Sequence, residues 1–452
     1  MNDDAGVTAL RACFEGAIPA MMATCAADGT PNVAYLSQVY YVDAQHVALS
    51  FQFFNKTRQN ILANPHATVL LTDPGTSGFH RLHLRYLRTE TEGPLFEGMK
   101  AQLAGIASHA GMAAVFRLLG ADVYRVEQVE PVAGRRLPPP PARTGLLAAV
   151  RRAAERFAQC TGTDELLRAA LSVLTDHLGV RHAMVLVHDA AAQRLYTLAS
   201  TGYATSGVGS EIPVGHGVIG VAARERAAVR IGHMTNAASY SHAVRSSIRA
   251  SAPELALETE IPFPGLPAPR SQVALPIVSA GRLLGVLFAE SEYDMAFNFE
   301  DEDALAAIAG HLGAAMDLLQ AADEPAPEEA AAAPLPGTCP PAAAGAPLAV
   351  RRYAANDSVF IDGRYLIKGV AGAILWKLLR EYTGDGRTDF SNRELRLDPS
   401  LRLPEVADNL EARLVLLQRR LLEQCPQIRL EKTGRGRFRL CLARPVALSE
   451  GA

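Results

Sequence analysis

A stretch rich in alanine and proline, residues 321–347, constrains the fold of this chain more than any other feature. It reads AADEPAPEEAAAAPLPGTCPPAAAGAP, without apolar periodicity and with the composition of a linker. A second break at 135–141, RRLPPPP, contains a proline run that neither a helix nor a strand includes. The 452 residues therefore cannot form one continuous core, and three folded segments are expected.

The two breaks predict a multidomain α+β protein. Its segments are a domain at 1–135, a Pro-rich linker at 136–144, a domain at 145–320, an Ala/Pro-rich linker at 321–347 and a domain at 348–445. From residue 348 onward the chain carries 19 Lys and Arg against 13 Asp and Glu, whereas the rest carries 25 against 34. The basic last segment favours a polyanionic partner.

Several classes of protein are excluded by simple patterns. No run of about 18 apolar residues occurs, and the N-terminus MNDDAGVTALRA lacks a basic segment before an apolar one, so we expect a cytoplasmic protein without membrane contact. The six cysteines form no CxxC pair, which predicts reduced thiols rather than a zinc site or a disulfide framework. The histidines of the middle segment lack i, i+4 spacing, so no bound metal is predicted.

The first segment alternates apolar strands with turn signals. AMMATC, NVAYLSQVYYV and VALSFQF are separated by turns at 27–31 and 43–46, and the Asp28-Gly29 pair indicates a hairpin. Further strands fit ATVLLTD, HRLHLRYLRTET and DVYRVEQVE. A small, mostly antiparallel barrel would protect the edges of such a sheet.

A polar elbow, SFQFFNKTRQNILANP, joins the third of these strands to a short helix. Asn55 is a plausible N-cap, and Lys56 and Thr57 then lie beside unpaired backbone N–H groups, an arrangement suited to a phosphate. Arg58 and Asn60 are candidates for further contacts. The alternative is a capped surface helix with solvated Lys and Arg side chains.

Over roughly residues 10–130, this strand order with its elbow and Asn-Pro helix end resembles the pyridoxamine 5'-phosphate oxidase-like, FMN-binding split-barrel family. The resemblance implies FMN, with its phosphate at the elbow and its ring between strands. The implied cofactor-binding residues are Asn55, Lys56, Thr57, Ser37, Gln38, Ser50 and Gln52. Another flavin, deazaflavin or heme is an alternative ligand. For heme, the candidate axial ligands are His80, His83 and His109.

The middle segment begins with two amphipathic helices, LLAAVRRAAERFAQC and TDELLRAALSVLTDHLG, and closes with a helix after Phe299. Between them, strands are predicted at HAMVLVHD, RLYTLAST, EIPVGHGVIGVAARE, AAVRIG and QVALPIVSAGRLLGVLFAES. The segment resembles the GAF family of sensor domains through four ordered signatures. These are Gly202-Tyr203, PVGHGVIG at 213–220, LPI with GRLLGVL at 275–287, and FNFED at 297–301.

The GAF resemblance implies an α/β sandwich that binds a small molecule or dimerises through its flanking helices. Tyr240, His242 and Arg245 lie in the stretch that covers the pocket in such domains, and these residues are the predicted ligand contacts. A Pro-rich insertion at 253–270 follows, either as a pocket lid or as a surface excursion. No cyclic-nucleotide signature is apparent.

The last segment contains a helix, AILWKLLREYT, a short element at 392–395, a long helix and a basic hairpin, IRLEKTGRGRFRLCL. In the long helix, leucines at 410, 414, 417 and 421 form one apolar stripe. This order resembles the winged-helix effector domain of response regulators and implies DNA binding. The implied DNA-binding residues are Asn409, Arg413, Arg419 and Arg420 on the solvent side of the helix, and Arg435, Arg437 and Arg439 on the wing. A protein interface is the alternative.

Together these segments predict a homodimeric regulator in which a flavin barrel and a GAF module control a DNA-binding winged helix. No catalytic triad, P-loop, kinase or cyclase signature occurs in the sequence, so no catalytic residue is predicted. One alternative is a flavin-dependent oxidoreductase of the pyridoxamine 5'-phosphate oxidase type, regulated by its appended domains. A second is a signalling adaptor without DNA binding.

Overall fold

The computed structural model describes residues 6–14, 20–36, 38–51, 56–109, 118–138, 144–232, 261–322, 346–401, 410–434 and 436–451. Eight predicted site residues lie outside these ranges. They are Ser37, Gln52, Asn55, Tyr240, His242, Arg245, Asn409 and Arg435. The described residues form four β-sheets with helices packed against them.

The first sheet has seven antiparallel strands in the order β2-β1-β5-β6-β7-β4-β3. The strands are β1 Ala20–Cys25, β2 Pro31–Leu36, β3 Val39–Tyr41, β4 His46–Phe51, β5 His66–Thr72, β6 Phe79–Glu90 and β7 Gly120–Pro131. β1 and β2 pair around Gly29, whose φ of 86° suits glycine, so the predicted hairpin is confirmed. The single strand predicted at 32–42 is represented by β2 and β3, and β3 pairs with β4 across the predicted turn at 43–46.

Side-chain alternation gives this sheet an apolar interior and a second, helix-covered face. Its helices are a 3₁₀ helix Val7–Phe14, α1 Lys56–Ala63 and α2 Pro94–His109. On β4, Val47 and Leu49 belong to the interior core, whereas Ala48 packs with Met99 and Leu103 of α2. The period of two along β4 therefore decides which side chains lie under α2.

The second sheet has six antiparallel strands in the order β10-β9-β8-β13-β12-β11. Its elements are α3 Leu146–Phe157, α4 Thr163–Leu178, β8 His182–Asp189, β9 Arg194–Thr201, β10 Glu211–Pro213, α5 Gly217–Glu225, β11 Val229–Ile231, β12 Ser271–Ser279, β13 Arg282–Ser291 and α6 Phe299–Ala322. Val185 and Val187 of β8 face the core formed with α3, α4 and α6, and Met184 and Leu186 face α5. Ala101 of α2 is buried in this second core, so the first domain packs directly on the second.

The predicted strand at 211–225 is correct only for its first three residues, which form β10. Residues 217–225 form the helix α5 instead. Val218, Ile219 and Ala222 are buried at helical spacing against the sheet. The apolar residues at 217–225 therefore follow the period of a helix and not that of the predicted strand.

Among the described helices, one is long and apolar enough by composition to cross a membrane, over Phe299–Ala321 of α6. Leu305, Ile308 and Leu312 of this helix are buried in the core that α3, α4 and the sheet share. One face of this helix therefore packs in the core of its own domain.

The last domain contains two sheets, a four-stranded one ordered β16-β15-β14-β20 and a three-stranded one ordered β17-β19-β18. Its elements are β14 Leu348–Tyr353, β15 Ser358–Ile361, β16 Arg364–Ile367, α7 Gly369–Asp385, β17 Asp389–Ser391, α8 Asn392–Leu397, a 3₁₀ helix Pro399–Leu401, α9 Leu410–Gln424, β18 Ile428–Gly434, β19 Arg437–Leu442 and β20 Val446–Gly451. The predicted hairpin is confirmed by β18 and β19. β20 pairs in parallel with β14, so this sheet extends beyond the predicted end at residue 445.

The cysteines differ from the expectation at one position. Cys13, Cys25, Cys160 and Cys425 form no disulfide bond, as predicted. Cys441 is disulfide-bonded, so the prediction of a reduced thiol is wrong for this residue.

Candidate functional site

The polar elbow leads into α1, which begins at Lys56. Lys56 is exposed, and Thr57 is half-buried with its Oγ1 accepting a hydrogen bond from Nδ2 of Asn32 on β2 at 2.9 Å. The N–H groups of the first helical turn, which have no acceptor within a helix, lie beside these two side chains. A positive charge, a hydroxyl group and backbone donors are thus brought together, as a phosphate requires.

Arg58, a candidate for a further phosphate contact, has a different role. It forms a buried ion pair with Asp122 of β7, and its guanidinium lies 4.5 Å from the ring centroid of Phe51. Asn60, the other candidate, is buried and its amide donates to Oγ1 of Thr24 on β1 at 3.1 Å. Both side chains therefore fix α1 against the sheet, and their contact with a phosphate stays a prediction.

The predicted ring-flanking residues Gln38 and Ser50 lie on the face that α2 covers. Gln38 is 1% exposed, and its Nε2 donates to Oε1 of Gln102 on α2 at 2.6 Å. The hydroxyl of Ser50 is buried and has no hydrogen-bond partner among the described atoms, and neither has Oε1 of Gln38. Oε1 of Gln38 could therefore accept a further hydrogen bond and Oγ of Ser50 could accept or donate one, but both atoms lie beneath α2.

The residues present fit one end of a flavin mononucleotide better than the other. The exposed Lys56 and the first turn of α1 suit its phosphate. Gln38 does not suit a ring contact in this arrangement, because its side chain is buried and its amide is bonded to Gln102. Contact between Gln38 and a ring would require α2 to move.

His80 and His83, two of the three candidate heme ligands, do not form a shared heme site. His80 is buried, and burial lowers the pKa of its imidazole. His83 lies on the opposite face of β6, with Nε2 3.5 Å from a carboxylate oxygen of Glu130. His109 ends α2, far along the chain from both. Among described residues, no group of three or more His, Cys, Asp or Glu side chains is placed to hold a metal ion.

The second domain has a cavity of about 340 Å³ between the end of α4, the end of β13 and the start of α6. Its lining includes Glu290, whose carboxylate is 2% exposed and accepts hydrogen bonds from the Leu266 N–H at 2.7 Å and Nε2 of Gln272 at 2.9 Å. Burial raises the pKa of Glu290. Burial and the neighbouring Glu290 carboxylate also raise the pKa of Tyr203.

Glu290 was missed by the sequence reasoning, which placed the ligand contacts at positions outside the described ranges. The signal that was available is a single acidic residue near the end of the apolar strand LLGVLFAES. A carboxyl group buried at the end of such a strand must be hydrogen-bonded, and it is often functional.

In the third domain, the leucine stripe of α9 is confirmed at Leu410, Leu417 and Leu421, which are fully buried. The expectation that the arginines of α9 face solvent is wrong. Arg413 and Arg420 are each 6% exposed, because Arg413 is paired with Asp189 of β8 in the second domain and Arg420 donates to the Leu366 carbonyl of β16 in its own domain. α9 therefore packs both in the core of its own domain and against the second domain.

The wing residues differ from each other. Arg439 is paired with Asp389 of β17 at 2.8 Å and its side chain is 12% exposed, so it is not a solvated wing residue. Arg437 begins β19 and is half-buried. Of the predicted DNA contacts, the structure thus describes five. Arg413, Arg419, Arg420 and Arg439 make hydrogen bonds within the chain, and Arg437 also interacts within it.

Two family models match the chain. Residues 7–129 match the model described as pyridoxamine 5'-phosphate oxidase, and residues 160–317 match that of the GAF domain. No curated protein matches the chain. The first domain is therefore a pyridoxamine 5'-phosphate oxidase-like barrel, and the second is a GAF domain.

Solved structures similar to parts of the chain include an FMN-binding protein from Syntrophomonas wolfei, at 18% identity over 28% of this chain and 85% of that one, with a TM-score of 0.24. The GAF domain of an Acinetobacter phosphoenolpyruvate-protein phosphotransferase is 17% identical over 40% and 97%, with a TM-score of 0.31. HupZ from Group A Streptococcus is 20% identical over 27% and 95%, with a TM-score of 0.23. The chain as a whole is a multidomain protein that combines the oxidase-like barrel with a GAF domain.

Proposed function

We propose that the chain is a cytoplasmic transcriptional regulator whose barrel binds FMN, whose GAF domain binds a small molecule and whose last domain binds DNA. The observation that carries the proposal is the order of elements after α7. β17, α8, α9 and the hairpin β18–β19 follow one another, with β17 paired to β19, in a domain of net positive charge. A helix followed by a basic hairpin supports insertion in a groove with flanking phosphate contacts.

The flavin part of the proposal is supported by the exposed Lys56 and the first turn of α1. Lys56 and Thr57, with Asn55 outside the described ranges, would hold the phosphate. Ser50 and Gln38 would approach the ring once α2 has shifted. A bound flavin would supply a reversible redox group. A change in its redox state would alter the position of α2, which packs on both the barrel and the GAF domain.

The small-molecule part of the proposal is supported by the cavity that Glu290 lines. A carboxylate with a raised pKa at the wall of a cavity suits a ligand that donates hydrogen bonds or carries a positive charge. Tyr240, His242 and Arg245 remain candidate contacts from the segment that follows β11.

A homodimer is supported by the outward face of the barrel edge. On β2, Val33 and Tyr35 are 69% and 80% exposed, and they lie opposite Ala23 and Met21 of β1. An exposed apolar strand face of this kind favours an interface over solvent. Analytical ultracentrifugation of the full chain tests this part, because a Tyr35→Lys variant should shift the chain to the monomer.

Flavin binding is tested by the absorbance of the purified protein near 450 nm. The double variant Lys56→Ala, Thr57→Ala should lose most of its bound FMN, because it loses the charge and the hydroxyl at the phosphate. Lys100→Ala, which changes the other lysine of the barrel, should keep it. Equal flavin content in the wild type, the double variant and the Lys100→Ala variant would refute the proposal that Lys56 and Thr57 bind the phosphate.

DNA binding is tested by retention of the full chain on duplex DNA at low salt. Binding should weaken steeply as salt is added, since phosphate contacts release counterions. Turnover of a nicotinamide cofactor with bleaching of the flavin would favour the oxidoreductase alternative. Absence of any duplex binding, in the wild type and in the released variant described below, would favour the adaptor.

A further inference from the structure

The second face of α9 is held by the GAF domain through two arginines. Nη2 of Arg413 donates to Asp189 at 2.7 Å, and its guanidinium lies 5.0 Å from the ring centroid of Tyr196. Arg419 donates through Nε and Nη2 to Oδ1 of Asp164, at 2.9 and 2.7 Å. These pairs join residues more than 200 positions apart in the sequence.

The contact around these pairs is close-packed. Arg419 also donates to the backbone carbonyl of Leu198 on β9 at 2.8 Å. A Cβ placed on Gly209 would lie 3.6 Å from both Leu416 and Arg420, so the backbone of the GAF domain reaches the helix directly. Lys368 adds a further ion pair, with Glu211 at 3.3 Å. The helix face is therefore covered by the GAF domain, and a second partner has no access to it.

The charges across this contact are complementary. The GAF domain contributes the two carboxylates, and the helix contributes both guanidinium groups. Burial alone would raise the pKa of Asp189, but the facing Arg413 outweighs burial and holds that pKa below its ordinary value. The same balance lowers the pKa of Asp164 through Arg419.

The charged pairs of this contact are exchangeable. The contact includes apolar side chains such as Leu416, and its two arginines are paired with anions that a nucleic acid phosphate can replace. Each guanidinium would exchange one anionic oxygen acceptor for another, so little pairing energy is lost in the exchange. Arg413 and Arg419 cannot contact Asp189 and Asp164 and also contact DNA.

From these observations we infer that the GAF surface around Asp164 and Asp189 is a latch that covers the DNA-contacting face of α9, and that duplex DNA and the GAF domain compete for Arg413 and Arg419. This inference rests on the proposed DNA binding. In the latched arrangement the chain is closed to DNA, and release of α9 opens it. A signal at the GAF domain would act by changing the latch.

The geometry also connects the latch with the GAF cavity. β8 begins at His182, which lines the cavity and pairs in register with Glu290 of β13. The same strand ends at Asp189, the partner of Arg413. A ligand that moves the cavity end of β8 would therefore act on the strand that carries one half of the latch.

The test uses the full chain with the double variant Asp164→Asn, Asp189→Asn, which removes the two carboxylate charges and leaves α9 unchanged. Asparagine at 189 can still accept the turn hydrogen bonds from Ala191 and Ala192. The control is Asp317→Asn, which breaks the ion pair with Arg282 on the same domain but away from α9. The readouts are hydrogen exchange of α9 and affinity for a 20-base-pair duplex of random sequence.

We expect the double variant to show faster exchange in α9 and roughly 5- to 150-fold tighter duplex binding, the usual size of coupling between two sites. The control should match the wild type in both readouts. Adding Arg413→Ala and Arg419→Ala to the double variant should abolish the gain in affinity, because these side chains are then missing from the DNA contact.

The outcomes separate the latch from the proposed function. If the wild type and the double variant bind duplex DNA equally well, DNA binding stands and the latch is refuted. If exchange in α9 does not change, the carboxylates do not hold the helix and the latch is again refuted. If α9 is released but neither protein binds duplex DNA, the proposed function is refuted. The competition between DNA and the GAF domain is then refuted with it.

Discussion

The ion pair between Arg58 and Asp122 gives the sharpest stability prediction for the barrel, because it anchors the helix that begins at the proposed phosphate site. The two side chains are 12% and 8% exposed. Asp122 also accepts a hydrogen bond from Oγ1 of Thr89 at 2.6 Å. The change we propose is Asp122→Asn, which keeps the shape of the side chain and removes its charge.

The expected cost follows from this burial. Removing one partner of a buried pair leaves an uncompensated charge and costs about 3 to 5 kcal/mol, whereas an exposed pair contributes about 1 kcal/mol or less. Arg58→Met should cost a similar amount and also lose the contact with the ring of Phe51, worth about 0.5 to 2 kcal/mol. Each single variant leaves the charge of the other residue buried without its partner, whereas the double variant leaves neither charge. The double variant should therefore lose clearly less stability than the sum of the two single losses.

The assay must report on the barrel alone. The chain has several domains, so its unfolding is not two-state, and its only tryptophan, Trp376, lies in the last domain. Native-state hydrogen exchange of the paired strands β4 and β7 avoids both problems. A loss of 3 kcal/mol should speed exchange there roughly a hundredfold.

A matched control is Arg81→Met, which breaks an exposed pair with Glu130 in the same sheet and should leave these rates unchanged. The reasoning is refuted if Asp122→Asn changes the rates no more than this control does. It is also refuted if the costs of Asp122→Asn and Arg58→Met are simply additive, since independent sites do not share a buried charge.

Two further predictions concern the other domains. Gly285→Ala should destabilise the GAF domain by about 1 to 3 kcal/mol, because its Cβ would lie 2.0 Å from a carbonyl oxygen of β8, whereas Gly310→Ala in α6 has open space and should be neutral or stabilising in thermal unfolding. In the last domain, hydrogen bonds from Lys377 lower the pKa of Asp398 to about 2, so its contribution is complete above pH 4 and is lost as the pH falls towards 2. Trp376, next to Lys377 on α7, should report that loss by fluorescence, and an unchanged signal between pH 4 and 2 would contradict it.

Much of the architecture could be predicted because its signals are local. The Asp28-Gly29 turn between two alternating apolar runs specifies a hairpin, and the leucine stripe at 410, 417 and 421 specifies the face of α9 that packs in its own domain. The assignment failed at 217–225, where a short apolar run fits either a strand or a helix. Only packing on the sheet decides between the two.

The candidate sites were predictable to a smaller extent, because they depend on contacts between distant parts of the chain. The sequence places Arg58 and Arg413 on helices, but it does not show that Asp122 and Asp189 face them. Val415 and Leu416 beside the leucine stripe make the apolar surface of α9 wider than one contact needs. That width was the available signal for a second, interdomain face.

The most direct measurement of the central claim is the affinity of the full chain for duplex DNA as a function of salt, made with the wild type and with Asp164→Asn, Asp189→Asn. We predict that the released variant binds more tightly at every salt concentration, and that the logarithm of its affinity falls linearly with the logarithm of salt. Arg437→Ala in that variant should reduce the slope by about 1. Binding that is absent, or that does not depend on salt or on release of α9, would contradict a regulator whose GAF domain controls access to DNA.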